Sequence, residues 1–340
     1  MTAGTEPATS NPDSWPIWKD AHILAARGPR ADVDPFRPVG LFREQELGRA
    51  RAVIDTATIL LANKECPFRC LHCDLWQHTT VFRVPAGAIP RQLDQALLEL
   101  WPEENPVCAR GRQIKLYNSG NFFDIQAIPP EDYGEIISRV RGFDTVIVEN
   151  HPKLCSSVCG DFQARLGTKL EVAVGLETVH PQLLQRLNKR MTVDDFRGAA
   201  ERLRAMEVGL RVFVLLKPPF LTEQEGIDWA IETVQVARTA GADCCSIIPM
   251  RPGNGAIDRL SREGWFSPPS LRSLEQTLEI VLRAKSSPAD CRLFADLWNI
   301  ESLSACPRCQ AARIERLRQM NLTQSVPPPI DCPVCRAAGG

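Results

Sequence analysis

Residues Cys66 to Cys73 read C-P-F-R-C-L-H-C, a C-x3-C-x2-C run that follows the apolar stretch Thr56 to Leu61. Thiolate is the ligand that iron-sulfur clusters require, and three thiolates on one short loop can hold three irons of a 4Fe-4S cluster. A structural zinc ion would want a fourth protein ligand close by. His72 is a candidate, but it stands between two cysteines, where coordinating beside both would strain the loop. The spacing favours a cluster with one iron left open, and an open iron is where a small molecule can bind.

A second constellation lies near the C-terminus. Cys306-Pro-Arg-Cys309 and Cys332-Pro-Val-Cys335 are two C-x2-C knuckles separated by 22 residues, a four-thiolate pattern. Structural zinc is the first reading and an auxiliary iron-sulfur cluster the second, since both accept four thiolates. Thirteen cysteines grouped in this way along 340 residues point to metal binding rather than to disulfides. The net charge of -1 gives no global basic footprint, so charge alone neither indicates nor excludes a nucleic-acid partner. There is no run of 18 apolar residues, and the N-terminus has neither a basic region nor an apolar signal core. A soluble cytoplasmic protein with no membrane partner is expected.

The elements that must position these residues follow a repeated strand-then-helix rhythm. Strands are expected at residues 56–61, 113–117, 145–148, 170–176, 210–216 and 242–248. Thr192 with Asp195, and Thr222 with Glu225, have capping-box spacing at the starts of two intervening helices. Six strands alternating with helices imply parallel pairing. In barrels built this way chemistry sits where strands end, which selects Asn63 to Cys73, Asn118 to Asp124, Glu149 to His151, Glu177, Lys217 to Pro219 and Pro249 to Gly255. The division expected is an N-terminal arm over 1–48, a core domain over 49–295 and a cysteine-rich region over 296–340. The arm is rich in proline, with about its first dozen residues disordered and Trp15 and Trp18 anchoring the rest to the core.

A C-x3-C-x-aromatic-C run after a first strand, with His72 in the aromatic place, resembles the radical S-adenosylmethionine superfamily. Five phrases narrow the likeness: Tyr117-Asn-Ser-Gly-Asn-Phe-Phe-Asp124, Val148-Glu-Asn-His-Pro152, Val174-Gly-Leu-Glu-Thr178, Leu187-Asn-Lys189 and Leu215-Leu-Lys-Pro-Pro-Phe-Leu221. Together they look like the branch holding the elongator catalytic subunit and, more narrowly, the radical subunit of archaeosine synthase, which acts on a modified tRNA guanine. The resemblance covers roughly residues 50 to 255. It implies an α/β fold, a partial (β/α)6 barrel of the radical SAM type, to which the two C-x2-C pairs add a small Cys-rich C-terminal metal-binding appendage. It implies that Cys66, Cys70 and Cys73 carry a 4Fe-4S cluster, that S-adenosylmethionine chelates the open iron, and that reductive cleavage yields a 5'-deoxyadenosyl radical. An electron donor is then required.

Carried over residue by residue, the likeness assigns the turn at Asn118, Ser119 and Gly120 to the methionine amine. It assigns Glu177 to the ribose hydroxyls, Glu149 to polar work on substrate or cofactor, and Lys217 to the region near the adenine. An ordinary reading of either glutamate is a buried carboxylate satisfied by Lys217 or by backbone. No catalytic side chain is assigned. The expected substrate is an RNA base or nucleoside-like molecule, with tRNA as the partner, and a peptide or small metabolite is the alternative. From another class, the chain reads as a non-catalytic metal-dependent RNA-binding protein whose C-terminal knuckles do the work. Arg313, Arg316 and Arg318 lie between the knuckles and either grip phosphate or form a solvated helix face. Cys155 and Cys159 read as loop thiols, and Cys244 and Cys245 as core.

Overall fold

The structure is a computed structural model and describes residues 12–102, 113–284, 291–303 and 306–337. The disorder expected for the first dozen residues falls, apart from Pro12, outside the described residues. In chain order the elements are α1 (Asp20–Ala26), β1 (Gly40–Leu47), β2 (Val53–Leu60), α2 (Ala88–Leu100), β3 (Gln113–Tyr117), α3 (Tyr133–Val140) and β4 (Thr145–Glu149). There follow α4 (Ser157–Leu166), β5 (Lys169–Glu177), α5 (Pro181–Arg186), α6 (Val193–Ala205), β6 (Gly209–Leu216), α7 (Glu223–Thr239) and β7 (Cys244–Pro249). The chain continues through α8 (Ala256–Arg262), α9 (Leu271–Arg283), β8 (Arg292–Ala295), α10 (Gln310–Thr323) and α11 (Pro333–Ala337).

The strands form one eight-stranded sheet in sequence order, parallel from β2 to β8 and antiparallel between β1 and β2. The six expected strands are β2 to β7. Two more extend the sheet, and both were hidden by their composition. β1 lies in the stretch expected as an extended arm and is masked by Arg43, Glu44, Gln45 and Glu46, while β8 has four residues and opens on Arg292. The arm also contains α1, and Trp15 and Trp18 are buried as expected, Trp15 stacking on Phe220 with ring centroids 5.1 Å apart. Both capping boxes form: Asp195 N donates to Thr192 Oγ1 at 3.1 Å, and Glu225 N to Thr222 Oγ1 at 3.3 Å.

Strand alternation separates two interiors. In β3, Ile114 and Leu116 join the apolar layer beneath the helices. Gln113, Lys115 and Tyr117 face the other way, Gln113 onto Glu46, Lys115 onto Glu46 and Tyr117 edge-on to Phe213. The sheet curls far enough for Glu46 of β1 to meet Arg211 of β6 at 2.5 Å and for Arg292 of β8 to donate to the Leu47 carbonyl at 3.3 Å. Glu171 of β5 binds Arg211 at 2.7 Å, Arg49 at 3.5 Å and Arg292, so a buried ionic floor fills the end of the half-barrel opposite the strand C-termini. α10 packs along the free edge of β8. The Asn321 carboxamide exchanges two bonds of 2.9 Å with the backbone of Ala295, and Gln324 exchanges two of 2.7 Å with Leu293. No helix among the described residues is long and apolar enough to cross a membrane.

Candidate active site and metal centre

The cysteine loop leaves β2 and is fixed by neighbours on several sides. Glu65 N donates to the Thr80 carbonyl at 3.0 Å, and Thr80 N to the Asn63 carbonyl at 2.8 Å. Leu71 N donates to Leu187 O at 2.8 Å, Asn188 Nδ2 to Arg69 O at 2.6 Å, and Asn254 Nδ2 to the carbonyls of Leu71 at 2.7 Å and Cys73 at 3.3 Å. Phe68 stacks on His151, centroids 3.8 Å apart and planes 13° from parallel. Glu65, the residue before the first cysteine, gathers Arg27 at 2.8 Å, Arg30, and Arg69 at 3.1 Å, so the arm reaches the loop through two arginines. Arg27 and Arg30 also lie over the Trp76 ring.

Cys70 is buried and Cys66 and Cys73 are half-buried. Burial pushes all three thiols upward, Cys70 to about 12, while Lys189 pulls Cys66 and Cys70 back down. Thiols so placed stay protonated unless a cation lies beside them. Asn121 Nδ2 donates to Cys66 Sγ at 3.1 Å, and a Cβ on Gly120 would stand 3.3 Å from the Cys66 Cβ, so the turn after β3 packs on the loop.

That turn is shaped by Glu149, at the end of β4. One carboxylate oxygen accepts Asn118 N at 2.6 Å and Gly120 N at 3.2 Å, with Ser119 between them at a φ of 52°. Desolvation raises Glu149 to about 7 against the pull of those backbone donors. Asn118 is wholly buried, and neither polar atom of its carboxamide has a partner among the described residues. Buried polar atoms are nearly always satisfied, so an orphaned amide on this turn is the mark of a site for a polar ligand.

Glu177 ends β5 after a bulge and has a φ of 65°. Its Oε1 meets Lys189 Nζ at 2.5 Å and His72 Nε2 at 3.5 Å. Burial would raise the carboxyl, but Lys189 and His72 prevail and hold it near 2. His151 donates through Nε2 to the Lys189 carbonyl at 3.0 Å and accepts Lys153 N on Nδ1, and burial followed by Lys189 holds it down to about 4. The partner of Glu177 is therefore Lys189, where the sequence suggested Lys217. Lys217 carries its ammonium to Glu223 at 2.5 Å and Ser267 at 3.0 Å.

The structure thus gathers the turn at Asn118 to Gly120, Glu149 and Glu177 around the cysteine loop and leaves the Lys217 ammonium with α7. Sequence reasoning missed Arg27 and Arg30, and it gave no role to Lys189, Asn254 or Glu65 although all three lie in stretches it singled out. Leu187-Asn-Lys189 stood among the quoted phrases, but nothing in it discloses that its lysine turns inward. The residues present fit a three-thiolate cluster with an open iron: the donors share one loop, a buried ammonium offsets their charge, and an unsatisfied amide waits on the neighbouring turn.

In the C-terminal region, Cys306 Sγ lies 3.8 Å from Cys332 Sγ and Cys309 Sγ 3.7 Å from Cys335 Sγ, and all four sulfurs fall within 4.8 Å of one another. Two of the three arginines between the knuckles have neither of the fates expected of them. Arg313 donates to Cys309 Sγ at 3.3 Å and binds Glu275, while Arg316 binds Glu275 at 2.9 Å and Glu279 at 2.7 Å. Both are buried in an ionic seam between α10 and α9, and Arg318 alone is exposed, 3.8 Å from Glu315. Cys155 and Cys159 are core residues rather than loop thiols, 1% and 0% exposed, and Cys244 and Cys245 are buried as expected.

No protein-family model matches the chain. An uncharacterized protein of Methanocaldococcus jannaschii is 23% identical over 309 residues, 86% of this chain and 83% of its own length. Archaeosine synthase subunit beta of Methanosarcina acetivorans is 28% identical over 222 residues, and that of Thermococcus kodakarensis 27% over 216. These matches take in 62% of this chain and 63% and 64% of the two subunits, just under two thirds of their lengths. Among solved structures, the Elp3 protein of Methanocaldococcus infernus is 14% identical, with 68% of this chain and 59% of that one covered at a TM-score of 0.47. In sequence, then, the chain is similar to archaeosine synthase subunit beta, and its cysteine loop and strand-end phrases resemble those of the radical S-adenosylmethionine enzymes.

Proposed function

We propose that Cys66, Cys70 and Cys73 hold a 4Fe-4S cluster, that S-adenosylmethionine binds beside it, and that the substrate is an RNA base or a nucleoside-like molecule. The observation that carries the reading is the packing of the Asn118 to Gly120 turn, with its orphaned amide, directly on the Cys66 loop. What the cluster supplies when bound is one-electron reduction of the S-adenosylmethionine sulfonium, giving a 5'-deoxyadenosyl radical. The protein supplies placement and dryness. Glu149 fixes the turn by accepting its backbone donors, which leaves the Asn118 carboxamide for a polar ligand such as the methionine head. Glu177, with one oxygen already engaged, offers its remaining acceptor capacity to hydroxyl groups.

The RNA part of the proposal rests on the name of the relatives, archaeosine synthase subunit beta. Burial of Arg313 and Arg316 removes the cationic helix face from a non-catalytic RNA-binding reading. For the C-terminal thiols we favour a single zinc ion. A tetrahedral ion with Zn–S bonds of about 2.3 Å spaces its sulfurs about 3.8 Å apart, which the Cys306–Cys332 and Cys309–Cys335 pairs match. A cubane places each thiolate on a different iron and so holds the sulfurs further apart.

Anaerobically reconstituted protein, given a strong reductant and S-adenosylmethionine, is expected to form 5'-deoxyadenosine. Cys70→Ala is expected to form none. Full cleavage by that variant ends the assignment. Adding bulk tRNA is expected to raise turnover, and indifference to tRNA favours a small substrate.

A further inference from the structure

Lys189 lies in the short connection between α5 and α6, on a segment clipped to the cysteine loop by the bonds from Leu71 N and Asn188 Nδ2 and to β4 by His151. Asn188 and Arg190, on either side of it, are both in the left-handed region with φ of 52° and 57°. Such conformations are unfavourable for residues with a side chain and persist where the surroundings enforce them. Lys189 itself is 7% exposed, and its ammonium is bound to Glu177 at 2.5 Å. The pair folds over Gly175, where a Cβ would stand 2.0 Å from Glu177 Oε1 and 2.6 Å from Lys189 Nζ. His72, which lies between two of the cysteines, touches the same carboxylate oxygen. The two charges are therefore fixed on one another, with the carboxylate 3.5 Å from the imidazole of the residue that precedes Cys73.

We propose that Lys189 and Glu177 act as a charge couple that sets the reduction equilibrium of the cluster on Cys66, Cys70 and Cys73, a role that rests on the cluster reading above. Reduction by an external one-electron donor adds one negative charge to the cluster. A buried ammonium stabilises that charge and a buried carboxylate opposes it, both more strongly at low dielectric than in water. Lys189 and Glu177 are positioning residues in this proposal, since they act through the ligands rather than on substrate.

The experiment compares Lys189→Met, Lys189→Arg and Glu177→Gln with the unaltered protein, all reconstituted anaerobically. Iron and sulfide content are measured first, then the midpoint potential by redox titration followed by electron paramagnetic resonance, without S-adenosylmethionine. Lys189→Met and Glu177→Gln break the same ion pair, so a purely structural role moves them the same way. A charge couple moves them in opposite directions. Lys189→Met is expected to shift the equilibrium about tenfold toward the oxidised cluster, 59 mV for a one-electron couple, Glu177→Gln toward the reduced one, and Lys189→Arg little. Shifts of the same sign, or shifts below about threefold in both, overturn the couple. If Lys189→Met takes up no cluster, Glu177→Gln decides alone, and an unchanged or lowered potential overturns it. Failure of the unaltered protein to take up iron and sulfide rejects the cluster reading itself.

Discussion

Glu149→Gln tests whether a carboxyl under the β3 turn holds its proton near neutrality. The native group titrates at about 7 against an ordinary value of 4.5. Between those values the folded protein keeps a proton that the unfolded chain has released, so the contribution to stability is fully present below 4.5 and is lost as pH rises through 7. At about 1.4 kcal/mol per pH unit the loss is about 3 kcal/mol at most. Glu149 is half-buried, and solvent access reduces that figure toward about 1.5 kcal/mol. Gln keeps an acceptor for the Asn118 and Gly120 amides but cannot titrate. The assay is urea denaturation of both proteins at intervals from pH 4 to 9. His151, held neutral to about 4, contributes in the opposite sense over part of this range, and it cancels in the difference between the two proteins. The stability of the unaltered protein relative to Glu149→Gln is expected to decline from pH 5 to 8 and then level. A difference that is flat or rising over that interval refutes the reasoning.

Three further outcomes follow from buried groups and thiols. Glu171→Ala leaves Arg292 and Arg211 with less compensation in the floor of the half-barrel, and breaking a buried pair of this kind costs about 3 to 5 kcal/mol. A loss below about 1 kcal/mol by urea denaturation would show that these arginines find other partners. Burial alone would raise Glu171, yet Arg292 and Arg211 hold it near 2. Its stabilisation is present above about 4.5 and lost as pH falls toward 2, and Glu171→Gln is expected to remove that part of the acid sensitivity. Replacing Cys66, Cys70 and Cys73 together by alanine is expected to leave about one zinc per chain and almost no iron by elemental analysis. Stoichiometric iron and sulfide in that variant reassigns the C-terminal thiols to a cluster.

What the sequence disclosed was carried by short-range pattern. The strands β2 to β7 announce themselves as apolar runs, and the capping boxes at Thr192 and Thr222 are local bonds between residues three apart. The cysteine spacings and the turn after β3 are local in the same way. What stayed hidden depends on distant partners. β1 is a strand because it pairs with β2 while Glu46 reaches Arg211, a contact 165 residues away along the chain. Arg313 and Arg316 look like a solvated face because nothing near them in sequence names Glu275. Lys189 and Lys217 are alike in the sequence, and only the fold decides which ammonium meets Glu177.

The carboxamides of α10 have a bearing on the chain's life outside catalysis. An open strand edge is a template on which another chain can add. Asn321 and Gln324 occupy the backbone groups of Leu293 and Ala295 as a ninth strand would, with α10 rooted at Cys309. The tail that carries the thiols thereby covers the β8 edge of the sheet, and a molecule stripped of it is expected to offer that edge to its neighbours.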